Sequence, residues 1–128
     1  MDEEEDGMKI LAVSNEPPLL AELNGVLKKV FPGAVVIEEN DPLMACKYSF
    51  NNEVNYVFAS EDMKRMSGSD LLQFIKREHP AVKTYLIFKD ERLSATSIFD
   101  DSDGVIEYPF SAEKLTKTLK GTTRYGDR

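Results

Sequence analysis

Short apolar runs that alternate with segments of helical period constrain this chain more than any other feature. Residues 8–13 (MKILAV), 34–37 (AVVI), 54–59 (VNYVFA), 84–88 (TYLIF) and 104–106 (GVI) are each too short for a buried helix, are rich in β-branched or aromatic residues, and are bounded by turn residues, so they read as strands. Between them lie helical patterns. Leu19, Leu20, Leu23, Val26, Leu27 and Val30 fall near a 3.6-residue period behind Pro17-Pro18, where a missing N–H costs little, and Pro32-Gly33 ends the segment. Asp41-Pro42 reads as an N-cap followed by proline at the first helical position, opening a helix that carries Leu43, Met44, Cys46, Tyr48 and Phe50 and closes at Asn51-Asn52. Ser67 or Ser69 caps a third helix with Leu71, Leu72, Phe74 and Ile75 facing inward, stopped by His79-Pro80. A weaker helix is expected over 93–99, and a last one opens at Ser111 with Leu115 and Leu119 inward and ends at Gly121. Continuous apolar strands separated by amphipathic helices predict an α/β fold: a doubly wound, flavodoxin-like, five-stranded parallel sheet of order 2-1-3-4-5 with helices on both faces.

Composition narrows the function classes. A chain of 128 residues fits one domain, expected over 8–120 between an acidic tail (1–7) and a C-terminal tail or linker start (121–128). The formal net charge is −7, and Asp2, Glu3, Glu4, Glu5 and Asp6 crowd five of the acids into the tail, which reads as a solvated end. Neither the tail nor the nearly neutral remainder offers the basic stripe that a phosphate backbone needs, so no direct contact with nucleic acid is expected. Cys46 is the single cysteine, which rules out an internal disulfide and suits a reducing compartment. With no signal-peptide pattern and no apolar run near the ~18 residues of a membrane span, the expected location is the cytoplasm.

In an open parallel sheet, ligands sit beyond the carboxyl ends of the strands at the topological switch point. The residues there are Ser14-Asn15-Glu16, Ser60-Glu61-Asp62, Lys89-Asp90-Glu91 and Tyr108-Pro109. At these loops the chain resembles the receiver domain of two-component response regulators. MKILAVSNEPPLL resembles the family's opening MKILAVDDEPLLL, SEDMKRMSG its D-x-x-M-P-x-M-x-G loop, and DGVIEYPFSAEKL its DGYLLKPxxAEKL segment. The resemblance runs from Met8 to Lys120 and implies a receiver fold. It also implies where the family's chemistry would fall. The acidic pair that holds Mg²⁺ falls on Ser14 and Asn15, the phosphoacceptor aspartate on Ser60, the Thr/Ser after the fourth strand on Lys89, the lysine before proline on Tyr108, and the switch aromatic on Val105. Met63, Met66 and Gly68 keep their family distances from Ser60 and hold that register.

Each of these phosphotransfer positions departs from the family pattern. Phosphoryl transfer to a receiver needs a carboxylate nucleophile, a divalent cation and a cationic clamp. Mg²⁺ wants carboxylate oxygens, which Ser14 and Asn15 do not supply. The resemblance therefore implies a degenerate pseudo-receiver: a phosphorylation-independent signalling module, not an enzyme, with no cofactor, that meets a protein partner or a second copy through the fifth strand and the helices flanking it. Ile98, Phe99, Val105, Phe110 and Leu115 are the expected partner face, while an output domain beyond the linker and a stand-alone domain both stay open. The alternative is a conventional phosphorelay receiver that takes phosphate on a displaced acid, Glu61 or Asp62, with Glu16 and Asp62 as weak ligands for Mg²⁺. Lys89 is expected to reach Glu16 or the Glu61/Asp62 loop and fill the space of cation and phosphate. The Tyr108-Pro109 bond is expected to be cis, His79 to be a surface histidine at a helix end, and Cys46 to be a buried, inert thiol.

Overall fold

Strand residues alternate between two hydrophobic layers, and that alternation builds the domain. In the computed structural model, which describes residues 8–89 and 102–127, Ile10 and Ala12 of β1 (Lys9–Val13) belong to one buried cluster and Leu11 and Val13 to the other. β3 (Tyr56–Ser60) divides in the same way, with Phe58 against Val57 and Ala59, and so does β4 (Lys83–Phe88), with Tyr85 and Ile87 against Leu86 and Phe88. A strand apolar on both faces is stable only when helices cover both. The strands pair in parallel in the order β2-β1-β3-β4-β5, with β2 over Val35–Glu39 and β5 over Gly104–Glu107, as the alternating pattern predicts.

The helices divide between the two layers. α1 (Pro17–Val30) buries Leu19, Leu20, Leu23 and Leu27 beside Leu115 and Leu119 of α4 (Ala112–Asp127). Each such leucine contributes about 1.5–3 kcal/mol by leaving water. α2 (Pro42–Asn51) and α3 (Gly68–Glu78) pack together over the other face. Their caps form as expected: Asp41 accepts from the Leu43 N–H at 2.9 Å, and the Ser67 hydroxyl accepts from the Asp70 N–H at 3.1 Å. At the opposite end of the sheet from the loops, Lys76 Nζ lies 2.9 Å from Asp103 Oδ2, which also accepts from the Thr84 N–H at 2.7 Å, tying α3 to the starts of β4 and β5.

Several local expectations are corrected. α4 continues to Asp127, past Gly121, because a lone glycine inside a helix costs only about 1 kcal/mol and is not by itself a stop. Leu115 is 1% exposed and belongs to the core, so it offers nothing to a partner, while Val105 and Phe110 are half-buried. α2 turns Ala45 and Ser49 inward and leaves Leu43, Met44 and Phe50 exposed. Cys46 is half-buried, and burial pushes its thiol pKa up, which weakens it as a nucleophile. His79 is half-buried too, its Nε2 lying 2.9 Å from the Ser49 carbonyl and joining the C-terminal ends of α3 and α2. The helix expected over 93–99, with Ile98 and Phe99, and the acidic tail lie outside the described residues.

Candidate functional site

The carboxyl ends of β1, β3, β4 and β5 bring Ser14, Ser60, Lys89 and Tyr108 to one edge of the sheet. Two hydroxyls occupy the centre. Ser14 is fully buried and Ser60 is 3% exposed, and the Ser60 hydroxyl donates to Ser14 Oγ at 3.2 Å. Ser14 Oγ also accepts from the Glu16 N–H at 3.2 Å. A neutral pair in this place needs no counter-ion, whereas two carboxylates would require one.

Asn15 joins three loops. Its Nδ2 donates to the Asn40 carbonyl at 2.8 Å, and its Oδ1 accepts from the Lys64 N–H at 2.5 Å. An amide has a donor and an acceptor and can bridge both, where a carboxylate could only accept. Glu16 is held by Lys89, whose Nζ lies 2.8 Å from each carboxylate oxygen, so the expected pairing is present. That hydrogen bond, opposed by partial desolvation and reinforced by the charges of Glu16 and Asp62, raises the Lys89 pKa. A raised lysine pKa means the lysine's contribution is present below its unfolded pKa and is lost as alkaline pH passes the folded value. With both side chains about two-fifths exposed, solvent screens the pair, which adds little stability and serves mainly to set loop position.

The remaining acids have separate tasks. Glu61 Oε1 accepts from the Ser69 N–H at 2.9 Å and the Ser69 hydroxyl at 2.7 Å, placing a negative charge at the N-terminus of α3 where the helix dipole favours it. Sequence reasoning missed this role, because the acid lies too far before the helix to match a capping-box spacing. Asp62 is exposed and lines an open cleft of about 630 Å³ with Asn15, Glu16, Asp41, Lys64 and Arg65. Tyr108 points its hydroxyl at Glu22 of α1, 3.3 Å away, and partial burial followed by the Glu22 charge raises its pKa. The Tyr108-Pro109 bond is cis, as expected.

Most oxygen donors at this edge already have partners within the chain. Ser14 and Ser60 are bonded to each other, Asn15 is engaged at both ends, Glu16 by Lys89 and Glu61 by Ser69. Among the described residues, no group of three or more His, Cys, Asp and Glu is placed to hold a metal ion.

Met63 and Met66 pack the β3–α3 loop onto the core below it. Between them Arg65 has φ 76°, a conformation that costs a side chain with a Cβ roughly 1 kcal/mol. Its guanidinium lies 3.4 Å from Asp41, an exposed and weak pair. Arg65→Asn is therefore expected to stabilise the domain by about 0.5 kcal/mol, since asparagine tolerates this region. A fall in the urea midpoint would show that the Asp41 contact outweighs the strain.

This sheet order, with helices on both faces and these loops at the carboxyl edge, is the fold of response regulator receiver domains. A receiver domain from Clostridium thermocellum superposes with TM-score 0.75 at 18% identity, over 94% of this chain and 98% of that one. The response regulator TrrA from Thermotoga maritima, solved in complex with Mg²⁺-BeF, gives 0.79 at 19% identity over 91% and 99%. A CheY-like receiver domain from Methanospirillum hungatei gives 0.77 at 19% over 94% and 96%. The chain matches no protein-family model and no curated relative. Among the described residues no helix is long and apolar enough to cross a membrane.

Proposed function

We propose that this chain is a receiver-like signalling domain that works without accepting phosphate, as a protein-interaction or dimerisation module with no metal or other cofactor. The observation that carries this reading is the buried Ser60–Ser14 hydrogen bond at the place where the receiver resemblance puts the acceptor aspartate and a metal carboxylate. A serine hydroxyl without a neighbouring base is a weak nucleophile, and this one is shielded from solvent. The Lys89–Glu16 pair and the Asn15 bridges support the same reading, because they hold the surrounding loops by contacts internal to the chain. A domain of this kind changes state only through a partner that binds its states unequally. β5 and its flanking helices remain the proposed meeting surface, with Val105 and Phe110 the described residues that support it. A cytoplasmic location belongs to the same proposal.

The alternative, phosphorylation at a displaced acid, finds little support at Glu61, whose Oε1 is engaged by Ser69. Asp62 is the exposed acid that remains. Incubation with acetyl phosphate or phosphoramidate and Mg²⁺, followed by intact-mass measurement, separates the two readings. The unmodified mass is expected throughout. An adduct of about 80 Da, the mass of one phosphoryl group, that disappears in Asp62→Asn would replace the proposal with the alternative.

A further inference from the structure

Exposed lysines gather at the amino edge of the sheet, the edge opposite the loops of the candidate site. Lys9 opens β1 and Lys83 opens β4. Lys83 is level with Tyr56 of β3, and Tyr56 is level with Ile10 of β1, so Lys83 lies two strand spacings, roughly 10 Å, from β1. Lys28 and Lys29 lie in the last turn of α1, which ends at this edge too: Phe31 packs on Tyr56 with ring centroids 5.2 Å apart. Lys83 shares a strand face with Tyr85 and Ile87, which belong to the layer under α1. All four lysines are exposed, and none has an ion-pair partner among the described residues. The described acids at this edge are Glu53, Glu78 and Asp103, and Asp103 is bound by Lys76.

We propose that Lys28, Lys29 and Lys83 form a docking surface for the chain's own acidic N-terminal segment, which is held there in cis instead of remaining a solvated end. Three observations select that occupant. The first is charge: residues 2–6 are Asp, Glu, Glu, Glu and Asp, and they face a surface of exposed cations. The second is tethering. Met8 enters the sheet at this same edge, where its carbonyl accepts from the Val35 N–H, so only Gly7 and Met8 separate the acids from Lys9. Five residues of extended chain span about 17 Å, enough to reach both the end of α1 and the start of β4. A linker this short gives an effective concentration in the millimolar range, so the tethered segment outcompetes a second copy or a free anion at micromolar concentration. The third is the alternative it excludes. At the carboxyl edge Lys89 and Arg65 already face Glu16 and Asp41, and Glu61 and Asp62 would repel an acidic segment. Every pair in the docked state is exposed to solvent, so the contact is weak and salt-sensitive. It neutralises a surface that would otherwise attract anionic partners, and it is independent of whether the domain accepts phosphate.

Zero-length carbodiimide cross-linking of the full chain at about 10 μM, far below the effective concentration of the tether, tests this, with peptide mass mapping of the monomer fraction. Amide links from residues 2–6 to Lys28, Lys29 or Lys83 are expected to exceed links to Lys64 and Lys114 by about 5-fold or more, and to fall by a similar factor at 1 M salt, where the screening length shrinks to about 3 Å. Lys9 is left out of the comparison because it adjoins the segment in sequence. A second measurement needs no chemistry on the chain. Neutralising the segment by Asp2→Asn, Glu3→Gln, Glu4→Gln, Glu5→Gln and Asp6→Asn leaves residues 8–127 unaltered, so folding is kept. The backbone amide resonances of residues 28–31 and 83 should move, and those of residues 60–64 should not. Links spread evenly over the lysines, links confined to a cross-linked dimer, links that persist at 1 M salt, or resonances of residues 28–31 and 83 that stay in place on neutralisation each overturn the proposal.

Discussion

Gly68→Ala is expected to lower the unfolding free energy by about 2–3 kcal/mol, a substantial part of the 5–15 kcal/mol a domain usually has. A Cβ at Gly68 would stand 2.2 Å from the Ser60 carbonyl oxygen, 2.7 Å from its carbon and 2.8 Å from Leu86 Cδ1. Two of these are backbone atoms of the central strand β3, which is bonded on both sides and cannot move aside cheaply. The substitution therefore pushes the start of α3 away from the sheet and disturbs the Gly68 N–H to Glu61 carbonyl bond that closes the loop. A fall in melting temperature of roughly 8–12 °C is the corresponding signal. Gly25→Ala is the control: the added Cβ meets nothing within 4 Å in the interior of α1, so about 0.5–1 kcal/mol of stabilisation is expected. If both variants melt within about 2 °C of the parent, the close approach of α3 to β3 is wrong.

Ser60→Asp tests the centre of the site. The new carboxylate would sit where the present side chain is 3% exposed, beside a serine hydroxyl, while Lys89 at the same edge of the sheet is already held by both oxygens of Glu16. Burying it is expected to cost about 2–4 kcal/mol at neutral pH. Burial raises the folded pKa of this acid above its unfolded value of about 3.9. The variant is then as stable as its parent below the unfolded pKa and loses stability as pH rises through the folded pKa. The gap between the two melting temperatures should close as the solution is acidified toward about pH 4. Millimolar Mg²⁺ should not rescue the variant, because Ser14 and Asn15 add no carboxylate. A variant as stable as the parent at neutral pH, or one strongly stabilised by Mg²⁺, would mean that a working cation site survives and would remove the main support for a phosphorylation-independent module.

Particular residues show how far the sequence could be read. Asp41-Pro42 and Pro17-Pro18 identified helix starts correctly, and of the two caps offered for α3, Ser67 and Ser69, the structure uses Ser67, because capping depends on one side chain and its own next turn. The register of Ser60 followed from Met63, Met66 and Gly68, and the structure supplies the reason: the methionines pack the loop down while Gly68 lets the backbone of α3 approach β3. Lys89 and Glu16, 73 positions apart, meet as expected because both follow strands that end at the same edge. Glu61 was harder to read. Its bonds to Ser69, eight positions on, depend on the path of the loop between β3 and α3, and no local spacing rule encodes that path. The inward set of α2 could not be read for a related reason, since apolar residues spread around that helix and the period alone does not say which stripe the sheet will cover.

The sequence by itself determined the alternation of strand and helix, the caps and the parallel sheet. Those properties follow from periodicity and side-chain chemistry, which act over a few residues. Only the tertiary structure decided what the residues at the carboxyl edge of the sheet do. Ser14 and Ser60 became a buried neutral pair, Asn15 a bridge between loops, and Tyr108 a contact to α1, because each has partners from strands and loops far away in the chain. The exposure of Leu43, Met44 and Phe50 on α2 was decided in the same way: burial is shared between a helix and the layer beneath it, and only the packed domain determines which side chains remain outside.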